Sequence, residues 1–69
     1  DLTGANLSGT NLSGANLKRS RLIEVNLRGA NLSGADLSEA DLTGANLSEE
    51  TLDEAILAGT ILPDGTESK

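Results

Sequence analysis

A leucine falls at every fifth position of this chain, from Leu2 to Leu62, thirteen times without a gap. Five is the period of neither an α-helix, about 3.6 residues, nor a strand, about 2. No single regular element can therefore bring these leucines to one side. The neighbouring positions repeat as well. Two residues before each leucine stands something small in most units, for example Ala5, Thr10, Ala15, Ser20, Val25 and Ala30. One before is mostly Asn or Asp, one after is often Ser or Thr, and two after is often Gly. A unit this short buries an apolar side only by stacking on its neighbours, so the repetition predicts a stacked, repeated architecture.

Side-chain alternation sets the local geometry. In an extended segment, residues i−2 and i point to the same side. Each Ala-x-Leu triplet therefore sends two side chains inward. The predicted core is Leu2, Leu7, Leu12, Leu17, Leu22, Leu27, Leu32, Leu37, Leu42, Leu47, Leu52, Leu57 and Leu62 with Ala5, Ala15, Val25, Ala30, Ala35, Ala40, Ala45 and Ala55. The residues between one triplet and the next must turn a corner in water. Asn, Asp, Ser, Thr and Gly suit that task.

The charges indicate how many corners close a coil. Residues one coil apart stack in adjacent parallel strands, where like charges repel. At a separation of twenty, the charged pairs are Asp1–Arg21, Arg21–Asp41, Arg19–Glu39 and Glu49–Lys69, all of opposite sign. At fifteen, like pairs such as Glu24–Glu39 and Glu39–Glu54 outnumber opposite ones. Four sides per coil is the expected closure. The same stacking places Asn6, Asn26 and Asn46 in one column, where a ladder of amide hydrogen bonds is expected.

These units resemble the pentapeptide-repeat family, whose motif reads A-(D/N)-L-x-x. Clean copies are Ala5-Asn6-Leu7, Ala15-Asn16-Leu17, Ala30-Asn31-Leu32, Ala35-Asp36-Leu37, Ala40-Asp41-Leu42 and Ala45-Asn46-Leu47. The resemblance implies an all-β fold, a right-handed quadrilateral β-helix of about three and a half coils. It covers residues 1–62, leaving 63–69 as a C-terminal turn or tail. "LPDGT" (62–66) reads as the stop, since Pro63 cannot donate to a ladder and Asp64-Gly65 favours a tight turn. The chain starts in mid-pattern at "DLTG", and such a stack is expected to be part of a longer protein.

Three departures from the pattern are the candidate contacts. Lys18, Arg19, Arg21 and Arg28 hold four of the five basic residues, with Ile23 exposed beside them. They read either as a solvated face or as a grip for an acidic partner. No aromatic residue interleaves them to stack on bases. In "LSEETLDEAIL" (47–57), Glu50 takes an inward slot at the end of its column. The unbroken leucine register there favours continued coil. The alternative is a capping helix over 48–58, with Ser48 or Thr51 as N-cap and Gly59 as its end. Lastly, residues 1–35 carry +2 and residues 36–69 carry −8, with Glu49, Glu50, Asp53 and Glu54 the densest acids.

No His or Cys is present, which removes the usual nucleophile–base pairs and metal ligands. Ser8, Ser13, Ser33, Ser38 and Ser48 recur in one structural slot, and no phosphate-binding glycine loop stands out from the five-residue register. The reading is a non-catalytic chain without cofactor or metal. It also has no small-molecule substrate and no membrane span. Its expected function is a rigid scaffold or spacer with a protein partner, and end-to-end self-association is open to it. The family resemblance implies a second reading, a nucleic-acid mimic that inhibits a DNA-handling enzyme such as gyrase. It also implies compartments from the cytoplasm, the default, to the thylakoid lumen, with cyanobacteria a frequent source.

Overall fold

The computed structural model describes residues 1–68. Lys69, its expected pairing with Glu49 and the last residue of the proposed tail lie outside them. Within the described residues the backbone returns to pair with itself every twenty residues. Parallel bridges join Asn6 to Asn26 and Asn26 to Asn46, Asn11 to Asn31, Asn16 to Asp36 and Asp36 to Ile56, and Arg21 to Asp41 and Asp41 to Ile61. Each bridge is isolated, because the chain turns again before a longer strand can form. The bonding is nonetheless regular. The Leu7 N–H donates to the Asn26 carbonyl at 2.8 Å, and the Asn26 N–H donates to the Ala5 carbonyl at 2.9 Å.

Between bridges, each corner closes with a hydrogen bond from the next inward residue back to the leucine, as from Ala5 N–H to the Leu2 carbonyl at 2.9 Å. Its third residue has positive φ, the arrangement of a type II turn. Glycine fills most of these slots, as at Gly14 with φ 69°. Arg19, Glu24 and Glu39 hold the same conformation at φ 62°, 57° and 60°. A side chain is strained there by roughly 1–2 kcal/mol. Packing of the flanking inward residues outweighs that cost.

The Asn or Asp before the leucine braces the corner in most units. Its side-chain oxygen accepts the N–H two residues on, as from Ser13 to Asn11 Oδ1 at 3.0 Å and from Thr43 to Asp41 Oδ1 at 3.0 Å. The same bond recurs at Asn6, Asn16, Asn26, Asn31, Asp36 and Asp64. These local Asx turns replace the expected amide ladder of Asn6, Asn26 and Asn46. An acceptor two residues from its donor is closer, at lower entropic cost, than a partner one circuit away.

The core sits in the middle of the stack. Leu22, Leu27, Leu32, Leu37 and Leu42 are fully buried with Val25, Ala35 and Ala40 around them. Leu7, Leu12, Leu17, Leu47, Leu57 and Leu62 are half-buried and pack against this cluster, as do Ala5 and Ala55. Ala15 is half-buried as well. Leu2 is a correction: at 38% exposed it lies outside the core, because nothing in the described chain covers its outer side. Thr60 is the buried polar residue, and its hydroxyl donates to the Leu37 carbonyl at 2.7 Å.

The stretch 48–58 is not continued coil. A short helix, α1 (Glu49–Asp53), replaces the corner, capped by Ser48, whose Oγ accepts the Thr51 N–H at 3.3 Å. It is also shorter than the 48–58 helix weighed above, since Glu54 ends it and the bridging pattern resumes at Ile56. Glu50 explains the change. A normal corner would point its carboxylate into the leucine core, where an unpaired charge is costly. On the helix Glu50 is exposed instead. Five helical residues still deliver Leu52 to the interior at 8% exposure.

After Leu62 the chain turns back. The Thr66 N–H and hydroxyl donate to Asp64 Oδ1, at 3.0 and 2.6 Å, and Gly65 has φ 88°. Residues 66–68 then run antiparallel along the last row, with Glu67 bridging Ile61. Pro63 donates nothing, but its carbonyl accepts the Gly44 N–H at 2.9 Å. The molecule measures 26 × 22 × 20 Å, close to a block.

Candidate functional site

The basic residues do not form one gripping cluster. Arg19 Nε lies 2.9 Å from Glu39 Oε1, with both side chains well exposed. That hydrogen bond and the carboxylate charge hold the guanidinium still more firmly protonated than usual. This is the one side-chain ion pair among the described residues. Arg21 bridges Asp41 through the backbone, and their side chains form no ion pair. The expected Asp1–Arg21–Asp41 ion ladder is thus absent among the described residues. Asp1 and Asp41 instead accept the hydroxyls of Thr3 and Thr43 at 2.7 and 2.6 Å. Ile23 is half-buried where full exposure was expected. The exposed large aliphatic residues are Leu2 and, at 52%, Ile56, which bridges Asp36.

Arg28 lies elsewhere, in a shallow depression of about 310 Å³ that it shares with Gly29, Asn46, Leu47 and Ser48. Lys18 is exposed two residues beyond the Asn16 bridge. The basic residues therefore spread over more than one side of the block.

The acidic residues are more closely grouped. Glu49, Glu50 and Asp53 sit on α1 and Glu54 caps it. Glu54 Oε2 accepts the Ser33 hydroxyl at 3.1 Å. Beside the helix opens a depression of about 410 Å³ lined by Leu47, Leu52, Leu57 and Leu62 with Glu49, Asp53, Pro63 and Asp64. Its floor is the last inward leucine of each described row. The last circuit alone leaves its inner side open. Leu47, Leu57, Leu62, Pro63 and Asp64 were not singled out as contacts.

Three carboxyl groups titrate low for one reason. The hydroxyl and N–H of Thr43 hold Asp41 below the usual carboxylate range, Thr66 does so for Asp64, and Ser38 for Asp36. Asp64 is exposed and Asp36 and Asp41 are half-buried; all three are corner braces, not acids poised for catalysis. No three carboxylates converge as a metal site among the described residues, and no helix there is long and apolar enough to cross a membrane.

Comparison with curated proteins finds no match. The family model for pentapeptide repeats matches in eight copies, over residues 1–38 and 35–64. Such repeats are generally non-enzymatic structural modules that often mediate protein interactions. The corner geometry and the twenty-residue return belong to nearly the whole matched stretch. This chain belongs to the pentapeptide-repeat family.

Proposed function

We propose that the chain is a right-handed quadrilateral β-helix serving as a non-catalytic protein-interaction module. Its repeat module would span 1–62, with 63–69 as the closing turn. The observation that carries the reading is the parallel return of the backbone at twenty-residue spacing. It spends the leucines on the interior and leaves corners of exposed short polar side chains, which form a preorganised surface with little left to order on binding. Of the candidate contacts, Lys18, Arg21, Arg28 and Ile23 belong to the sides, and Glu49, Glu50, Asp53 and Glu54 to the acidic end. Arg19 contributes less, since Glu39 already occupies it.

Mimicry of a nucleic-acid duplex has less support. A duplex analogue needs carboxylates along its length, whereas here they concentrate around α1, on a block 26 Å long.

Photo-crosslinking from positions 28 and 53, in extract of the native host, tests the proposal. One stoichiometric protein captured from a single position, and lost on Arg28→Glu or Asp53→Lys, is the expected result. Inhibition of gyrase supercoiling by the purified chain would instead favour mimicry. Turnover of any added metabolite that tracks the folded chain would overturn the non-catalytic reading.

A further inference from the structure

The residue before each leucine points away from the interior, and in most units it is Asn or Asp. Two columns break this rule at their third level. Asn16 and Asp36 are followed by Ile56, and Arg21 and Asp41 by Ile61. Ala58 lies between the two isoleucines and Pro63 just beyond them. Ile56 and Ala58 are exposed, and Ile61 and Pro63 are half-buried. These residues form an apolar row that faces sideways from the stack. Asp36, in the same column with a bridged row on either side, still reaches solvent.

The fold gains nothing from the exchange at position 56. Asp36 braces its corner by accepting the Ser38 N–H at 3.0 Å. Ile56 offers no acceptor, and the equivalent Ala58 N–H donates to nothing among the described residues. Packing does not compensate, since Ile56 keeps 52% of its surface in water. A lone exposed isoleucine is ordinary. A row of apolar residues in columns that are polar at their other described levels marks a contact surface.

Charge says what covers the row. Asp53 and Glu54 precede it and Asp64 follows it, so carboxylates bound both ends. None of the three is in an ion pair among the described residues. From 36 to 68 the chain carries nine carboxylates and no base. Lys18, Arg19 and Arg21 stand two levels below the row, where they act first on Asp36, Glu39 and Asp41.

We propose that the row 56–63 docks a basic, aliphatic segment of a partner protein. Its apolar side chains cover Ile56, Ala58 and Ile61, and its Lys or Arg side chains meet Asp53, Glu54 and Asp64. The aliphatic contact supplies affinity, and the flanking carboxylates reject acidic segments. A second copy of this chain, at a net charge of −6, is repelled. This inference rests on the interaction-module reading and names the surface and the chemistry of its partner.

A dye-labelled Leu/Lys peptide of about fourteen residues, some four helical turns, tests the docking. Ser/Lys and Leu/Glu peptides of equal length are the controls. Fluorescence anisotropy should show the Leu/Lys peptide binding about tenfold more tightly than either control. Ile56→Asn restores the motif Ala-Asn-Leu and should weaken that binding about tenfold. Its urea midpoint should hold or rise, because the Ala58 N–H gains an acceptor. Asp64→Asn keeps the oxygen that Thr66 binds. It should weaken binding about threefold at low ionic strength and much less at about 0.5 M salt. On the unmodified chain, the peptide should move amide shifts over 56–63, a readout that needs no variant to fold. Equal binding of the Ser/Lys peptide, amide shifts confined to other residues, or binding undiminished by Ile56→Asn overturns the proposal. A fall in the urea midpoint of that variant also does so, since it makes Ile56 a structural residue. A partner crosslinked from position 28 or 53, with no binding of the Leu/Lys peptide, removes this inference and leaves the module reading standing.

Discussion

Leu37-Ser38-Glu39 and Leu47-Ser48-Glu49 are the same tripeptide at the same place in the repeat, yet they fold differently. In the first, Glu39 takes φ 60° and the Ala40 N–H closes the corner on the Leu37 carbonyl at 3.0 Å. In the second, Ser48 caps a helix that Glu49 begins. Glutamate at the third position is not the cause, since Glu24 and Glu39 both tolerate positive φ. The fourth residue decides. Ala40 points inward and is fully buried, whereas Glu50 in that slot would carry its carboxylate into the core. A local backbone choice is thus made by the energetics of the interior.

The sharpest way to break this comparison is Ala40→Glu. It brings a charge to a fully buried slot between intact circuits and should cost about 3 kcal/mol or more in urea denaturation. A loss near zero would show that the interior does not govern the corner. The converse change, Glu50→Ala, should dissolve α1 and restore a corner with positive φ at Glu49. We expect a gain of about 1 kcal/mol as the Leu32 N–H and the Ala30 carbonyl recover partners at Thr51. Helical Cα chemical shifts persisting over 49–53 would assign the helix to the Ser48 cap instead.

A single type of substitution should then change sign with position. Glu24→Gly relieves a strained φ of 57° and should stabilise by about 1 kcal/mol. Glu49→Gly weakens a helical first turn and should destabilise by about 0.5 kcal/mol. Equal effects, measured by thermal unfolding, would contradict the two backbone assignments.

The smallest effect expected is on pH dependence. Asp36, Asp41 and Asp64 titrate below the usual carboxylate range when folded, because Ser38, Thr43 and Thr66 donate to the ionised form. A folded value below the unfolded one adds stability that is fully present above the unfolded value, near pH 4, and fades as the pH falls through the folded one. The triple change to Asn keeps an acceptor oxygen in each Asx turn, as Asn11 and Asn31 do. It should therefore flatten the acid limb while leaving neutral stability almost unchanged. An unaltered acid limb would mean other carboxylates govern it.

Much of this organisation was legible beforehand. The leucine period and the avoidance of like charges at twenty pointed to a backbone that returns every twenty residues, which the bridges of Asn6, Asn26 and Asn46 follow. Interactions between neighbours in the chain read less well. Asn side chains suit a ladder and an Asx turn equally, and only their distance to the i+2 N–H selects the turn. Arg21 and Asp41 are paired in register, but Thr43 is nearer to the carboxylate than the guanidinium is. The unbroken leucine register over 47–57 concealed α1, because five helical residues advance the pattern by one unit as a corner does. Leu2 fits the motif as well as Leu22, and differs only in having no described circuit over it.

The candidate site divides along the same line. Its acidic residues stand out as a run in the chain, whereas the depression beside them is built by leucines from four separate units. Primary structure alone dictated the family, the five-residue unit and the inward leucines, since these follow from a strict repeat whose side chains alternate. Tertiary structure decided where the repeat yields to a helix and which backbone groups that helix leaves unpaired. Those outcomes depend on what lies one circuit away, and a carboxylate or an N–H carries no cost until neighbouring circuits exclude its water.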